Sequence, residues 1–187
     1  METYTFGPMK IRVADLEFEL SIPYRAIELR VQELATEINT GYADKTPLLV
    51  GVLNGSFIFM ADLVKELSIA CETAFIKVAS YHGGTSSTRH IRTDLDLVAD
   101  INGRHIILVE DIIDTGHTMR YLVNKLKDNS PASVAICTLL LKPEALETNI
   151  SELKYTGFEI PNEFVVGYGL DYKEQGRNLK GIYRKVG

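Results

Sequence analysis

Apolar runs that alternate with helical periodicity decide the fold class of this chain. Five short runs, Leu48 to Leu53, Ala74 to Ser80, His105 to Glu110, Ser133 to Leu141 and Phe164 to Tyr168, are near-continuous in apolar residues, as strands covered on both faces are. Between the first two, Met60, Leu63, Val64 and Leu67 recur at helical spacing, and between the third and fourth Met119, Leu122, Val123 and Leu126 do the same. Strand, helix, strand, repeated, predicts an α/β fold whose mainly parallel sheet is flanked by helices. Right-handed crossovers then put a ligand crevice at the carboxyl ends of the strands. The residues following the runs suit such a crevice: Asn54-Gly55-Ser56, Ser80-Tyr81, Glu110-Asp111, Lys142 and, after the fifth, Asp171. Together they point to an anionic, metal-assisted site.

Ahead of this pattern, Ile11 and Val13, then Leu16, Phe18 and Leu20, alternate with a phase slip at Ala14 and Asp15, which predicts two short peripheral strands with a bulge or turn between them. Ser21 and Pro23 supply helix-start chemistry, and Ile27, Val31, Leu34 and Ile38 follow at helical spacing until Gly41 stops the helix. With 187 residues and neither a repeat nor a linker tract, residues 1–187 read as a single domain. The formal net charge of −5 removes any general attraction to nucleic acid or acidic lipid. The longest charge-free stretch, Thr46 to Ala61, falls short of the roughly 20 residues a membrane-spanning helix needs. Cys71 and Cys137 form no C-x-x-C pair and read as small buried hydrophobes. Met1 to Lys10 lacks a basic-then-apolar signature, so a cytoplasmic location is the default expectation.

The most informative segment runs from Ile106 to Thr118: a strand, two acids, and a short turn that opens a helix from Thr118. A helix start offers unpaired N–H groups and the positive end of its dipole, Gly116 lets the backbone approach closely, and the Thr115 and Thr118 hydroxyls add donors. The turn can therefore cradle a phosphate monoester, although an ordinary N-cap uses the same residue types. Glu110 and Asp111 directly before it would repel a phosphate, but as ionised acceptors they match the hydroxyls of a vicinal diol or a Mg²⁺ ion. Solvated strand-end acids are the plainer alternative. Neither G-x-G-x-x-G nor G-x-x-x-x-G-K-[ST] occurs, which argues against a dinucleotide fold or a P-loop nucleoside triphosphatase. A phosphorylated sugar fits best.

Val109-Glu110-Asp111-Ile112-Ile113-Asp114-Thr115-Gly116-His117-Thr118 resembles the phosphoribosyl pyrophosphate motif of the type I phosphoribosyltransferases. Leu53-Asn54-Gly55, Ser80-Tyr81, Lys142, and Phe164 to Tyr172 with Arg177 narrow the resemblance to the hypoxanthine-guanine branch. It implies the fold of that family, with a core of about residues 40–142 and a small hood from residues 1–20 and about 150–187. It also implies a Mg²⁺-dependent purine-salvage transferase. Such an enzyme moves the 5-phosphoribosyl group from phosphoribosyl pyrophosphate to hypoxanthine or guanine, releasing pyrophosphate with IMP or GMP. By resemblance Asp114 accepts a proton from purine N7, Glu110 and Asp111 hold the ribose, and Asp114, Thr115, Gly116, His117 and Thr118 cradle the 5′-phosphate. Ile112 and Phe164 sandwich the base, Val165 meets its edge, and Lys142 donates to its exocyclic oxygen, selecting oxo over amino purines. Asp171 joins both the purine site and, with Glu110 and Asp111, the metal site.

The same resemblance assigns pyrophosphate to Asn54, Gly55, Ser80, Tyr81 and Arg177, and implies a non-proline cis peptide between Leu53 and Asn54 that turns an N–H toward the anion. The Gly/Ser-rich stretch from His82 to Thr88 reads as a mobile lid. Assembly as a homodimer or homotetramer is the family expectation. Two positions depart from the family pattern: His117 stands where the residue varies, and Gly176 replaces a bulkier residue beside Arg177, which puts the rigidity of that clamp in question. Two other classes stay open. An RNA-binding regulator on this fold would need a basic face, and a Mg²⁺-dependent phosphohydrolase would leave Lys142 idle.

Overall fold

The computed structural model describes residues 9–80, 91–95 and 99–187. Strands β1 (Lys10–Val13) and β2 (Leu16–Ile22) precede helix α1 (Tyr24–Gly41). Then come β3 (Leu48–Leu53), α2 (Phe57–Glu66), β4 (Glu72–Ser80), β5 (Ile91–Leu95), β6 (His105–Ile113), α3 (His117–Lys127) and β7 (Ser133–Leu141). A single 3-10 turn at Pro143–Ala145 leads to β8 (Leu153–Glu159), β9 (Val165–Val166) and β10 (Ile182–Lys185).

The larger sheet has six strands in the order β5-β4-β3-β6-β7-β8. All its pairs are parallel except the antiparallel edge pair β4–β5. Alternation along the central strands covers both faces. Leu49, Ile107, Val109, Cys137 and Leu139 pack with Phe59, Met60 and Leu63 of α2 and Ile27, Val31, Leu34 and Ile38 of α1. Leu48, Val50, Val52, Ile106 and Leu108 pack with Met119, Leu122, Val123 and Leu126 of α3. The second sheet, β1-β2-β10-β9, is antiparallel and unites the N- and C-terminal segments as a hood.

Several sequence expectations shift. The run from Phe164 to Tyr168 contributes only Val165–Val166, and that strand pairs with β10 in the hood rather than joining the parallel sheet. Its place in the larger sheet is taken by β8, inside the stretch expected to be hood, so the sheet extends to Glu159 and the hood's C-terminal part starts later than about residue 150. Ser21 lies in β2, and Pro23 is the N-cap of α1 without a side-chain cap bond, its carbonyl accepting from Ala26 and Ile27 N–H at 2.9 and 3.3 Å. Gly41 closes α1 as its last residue, and the chain leaves at Tyr42. The phase slip at Ala14 is a tight turn, with Ala14 at φ 50°. Strand β6 runs three residues past Glu110, because Glu110, Ile112 and Ile113 keep their register with Thr138, Leu140 and Leu141 of β7.

Candidate active site

Because β6 continues to Ile113, Glu110 and Asp111 stand inside a strand rather than after it, which places them in the fold instead of in solvent. Asp111 is buried, with Oδ1 accepting the Ile112 N–H at 2.9 Å. Glu110 is half-buried overall, yet its Oε2 is enclosed and has no hydrogen-bond partner among the described residues. Burial pushes the Glu110 carboxyl well above the ordinary carboxylate range, and the neighbouring Asp111 charge adds to the rise. Burial also raises Asp111, against the hydrogen bonds from Glu110 and Ile112 and the positive field of Arg177. Two dehydrated carboxyls with a spare oxygen are poised for a ligand that brings hydroxyl donors or a cation.

Burial of the Glu110 carboxyl favours its protonated form in the folded chain. The stability this contributes is complete below the ordinary carboxylate range and is lost as pH rises through the raised value. Glu110→Gln is therefore expected to raise the thermal midpoint near neutral pH by a few degrees, about 1 kcal/mol being worth roughly 2–4 °C at this chain length. A midpoint equal to the parent's at neutral pH contradicts the raised carboxyl.

After β6 the chain turns through Asp114, Thr115 and Gly116 into α3, which begins at His117, one residue earlier than the sequence predicts. Gly116 is the N-cap at φ +83°, a conformation that favours glycine, and a Cβ there would also meet Ile150 Cδ1 at 2.8 Å and Thr148 Cγ2 at 2.9 Å. The segment after β7 braces the turn from outside: Glu147 N–H donates to Thr115 O at 3.0 Å, and Glu147 Oε2 lies 2.7 Å from His117 Nε2. His117 thus has a bracing contact. The N-cap of α3 is Gly116, so Asp114 is not its capping residue. Its Oδ2 instead meets Lys142 Nζ at 3.0 Å, and the Lys142 side chain is only 9% exposed while that of Asp114 is 51% exposed. A carboxylate at the mouth and an enclosed ammonium form one two-pronged feature beside the cradle.

Opposite the acids, the Leu53-Asn54 peptide is cis. Gly55 packs directly on Asp111: a Cβ at Gly55 would fall 1.6 Å from Asp111 Oδ2. On its other side, a Cβ at Gly169, which has φ +104°, would fall 2.0 Å from Gly55 O. The hood thus touches the Asn54-Gly55 loop backbone to backbone. Arg177 ties this corner together: Nη1 donates to Gly169 O at 2.8 Å and Nη2 lies 2.7 Å from Asp171 Oδ1. Asp171 Oδ2 accepts the Glu174 N–H at 2.9 Å. Gly176, beside Arg177, has φ +96°, a conformation that favours glycine.

On the hood, Phe164 is 46% exposed, its ring edge-on to Tyr172 with centroids 5.7 Å apart and 6.2 Å from the Phe18 ring. Val165 is buried beside it and pairs with Arg184. Ile112 packs against the core shared with α1 and α2, so Phe164 and Ile112 belong to different packing clusters.

A model of the phosphoribosyl transferase domain matches residues 23–173. The hypoxanthine-guanine phosphoribosyltransferase of Streptococcus pneumoniae strain R6 is 53% identical over 151 residues, covering 81% of this chain and 83% of its own. The chain belongs to the hypoxanthine-guanine phosphoribosyltransferase family. Within that family, the hypoxanthine phosphoribosyltransferase of Escherichia coli K12 is 44% identical over 170 residues, 90% of this chain and 95% of its own. The solved hypoxanthine-guanine phosphoribosyltransferase of Bacillus anthracis superposes with a TM-score of 0.85 at 36% identity, covering 90% of this chain and 98% of that one.

Two contacts at this corner of the phosphoribosyltransferase fold carry no local sequence signal: Gly169 against Gly55 O, and the hydrogen bond between Tyr168 and Asp62, 106 residues apart in the chain. Ser80 closes β4, while its side chain, Tyr81 and the expected lid from His82 to Thr88 lie outside the described residues. Among the described residues, no group of three or more His, Cys, Asp and Glu side chains forms a metal cage, and no helix is long and apolar enough to cross a membrane.

Proposed function

We propose that this chain transfers the 5-phosphoribosyl group of phosphoribosyl pyrophosphate to N9 of hypoxanthine or guanine, giving IMP or GMP and pyrophosphate in purine salvage. The Asp114–Lys142 pair, at 3.0 Å beside an α3 N-terminal cradle, carries the reading. A carboxylate that can take a proton and an ammonium that can donate one hydrogen bond match N7 and the exocyclic oxygen of a 6-oxopurine. In the transfer, the bond from the sugar's anomeric carbon to N9 forms as the bond to the pyrophosphate oxygen breaks, with the bonding electrons leaving on that oxygen. The N7 proton passes to Asp114. The α3 N-terminal amides and Thr115 and Thr118 hold the 5′-phosphate, while Glu110 and Asp111 accept from the ribose hydroxyls and stabilise the oxocarbenium-like centre. Phe164 and Ile112 bracket the base, Val165 meets its edge, and Asn54, Gly55, Ser80, Tyr81 and Arg177 receive the diphosphate.

The enclosed Glu110 Oε2, with the Asp111 carboxyl beside it, fits a Mg²⁺ ion, which Glu110, Asp111 or Asp171 would hold and which would supply charge neutralisation at the diphosphate. The reading includes a cytoplasmic location and assembly as a homodimer or homotetramer, the latter open to light scattering. Neither nucleic acid nor a membrane enters it.

Supplying Mg²⁺ and phosphoribosyl pyrophosphate with hypoxanthine, guanine, xanthine or adenine in turn tests it. Pyrophosphate release with an oxopurine is expected, and silence with all four bases would end the proposal. Lys142→Ala should erode the preference for hypoxanthine over adenine by roughly ten- to a hundredfold, the value of one hydrogen bond from a charged donor. Unchanged selectivity returns Lys142 to a purely structural place.

A further inference from the structure

The hydroxyl of Tyr168 donates to Asp62 Oδ2 at 2.6 Å, joining the hood to α2. Tyr168 is 2% exposed, and its ring sits 6.4 Å from that of Tyr24, which Lys180 Nζ covers at 5.8 Å. Burial and the Asp62 charge hold the phenol far above its ordinary range, so it stays a donor. Packing alone would be served by a phenylalanine. The hydroxyl adds a direction, while the other Asp62 oxygen meets the exposed Lys65 Nζ at 2.6 Å.

Both ends of this bond lead straight to the diphosphate corner. Tyr168 is adjacent to Gly169, whose backbone rests on Gly55 O and exchanges hydrogen bonds with Arg177 at 3.0 and 2.8 Å. Asp62 is on the helix that starts directly after Asn54-Gly55-Ser56, and that start is pinned to β3 by Ser56 Oγ donating to Val52 O at 2.6 Å. The Tyr168 backbone, at φ +49°, is fixed as well, its N–H donating to Leu179 O at 2.8 Å.

We propose that the Tyr168–Asp62 hydrogen bond is a latch that sets the hood loop against the Asn54-Gly55 loop, making both residues positioning residues for the diphosphate end of phosphoribosyl pyrophosphate. The latch rests on the functional reading above, and it acts on one substrate only. The purine is met by other groups, so its binding is left alone.

Three variants test it: Tyr168→Phe, Asp62→Asn, which keeps a carbonyl acceptor, and Lys65→Ala, which keeps the latch. Binding of inorganic pyrophosphate with Mg²⁺ is measured by calorimetry, and KM is measured separately for phosphoribosyl pyrophosphate and for the purine. Tyr168→Phe is expected to weaken pyrophosphate about tenfold and to raise KM for phosphoribosyl pyrophosphate by a similar factor, with the purine KM within about twofold. Asp62→Asn and Lys65→Ala should stay within about threefold of the parent. Parental pyrophosphate affinity in Tyr168→Phe overturns the latch, as does an equal rise in both KM values that tracks a fall in melting midpoint. Calorimetry needs no turnover. If the parent is inactive on purines while Tyr168→Phe still loses pyrophosphate, the salvage reading fails and the latch stands.

Discussion

Asp114→Ala is expected to cut kcat by about 100- to 10,000-fold while KM for phosphoribosyl pyrophosphate moves only a few-fold, the usual worth of a positioned proton acceptor. The carboxylate is 51% exposed at the mouth of the cradle and is not the capping residue of α3, so little of the fold depends on it. One complication is built in, since removing it leaves the nearly enclosed Lys142 ammonium without the partner it has at 3.0 Å. Asp114→Asn separates the two effects, because its amide oxygen still accepts from Lys142 but is no base. Both variants should lose turnover alike, and only the alanine should also lower the melting midpoint. Parental turnover in Asp114→Asn, in the presence of saturating substrates, removes proton acceptance from Asp114.

Gly55→Ala should be nearly as damaging, for a steric reason. Its added carbon would lie 1.6 Å from Asp111 Oδ2 and 2.5 Å from Asp111 Cγ, so the carboxylate has to move off the sugar site. Overpacking of this kind costs about 1–3 kcal/mol in stability, and a misplaced acid near the reacting sugar costs about 100-fold in kcat/KM. The double variant Gly55→Ala/Asp111→Ala removes the clash along with the carboxylate. It is expected to regain the parent's melting midpoint and to stay inactive, a split that simple misfolding does not produce. Should Gly55→Ala keep parental kcat/KM, the packing of this loop on Asp111 is immaterial to the sugar.

Most of what the sequence offered concerned strands whose apolar runs are unbroken. The limits of β3 and β7 match the runs from Leu48 to Leu53 and from Ser133 to Leu141, since both strands are buried on both faces. The Leu53-Asn54 cis peptide and the turn at Ala14 also agree with it. Misreadings arise where local pattern and tertiary partner disagree. Glu110 and Asp111 interrupt an apolar run, so the local pattern ends the strand there, whereas pairing with β7 carries it to Ile113. Strand β8 is an edge strand whose Thr156 and Gly157 carbonyls are covered by Arg30 at 2.8 and 3.0 Å, a polar solution that leaves little apolar signal. For the site, the turn into α3 and the contact of Asp114 with Lys142 involve residues that local motifs and strand ends already mark in the sequence. The Tyr168–Asp62 bond and the contact of Gly169 with Gly55 were not legible there, being set by how the hood settles on the sheet.

Residues 110–118 gripping a phosphorylated pentose is the proposition on which every other role depends, and a crystal structure with guanosine monophosphate and Mg²⁺ tests it most directly. The account predicts both ribose hydroxyls within hydrogen-bond distance of Glu110 and Asp111, with the 5′-phosphate on the backbone N–H groups of Thr115 to Thr118. A phosphate bound elsewhere, or an acid pair turned from the ribose, would contradict it.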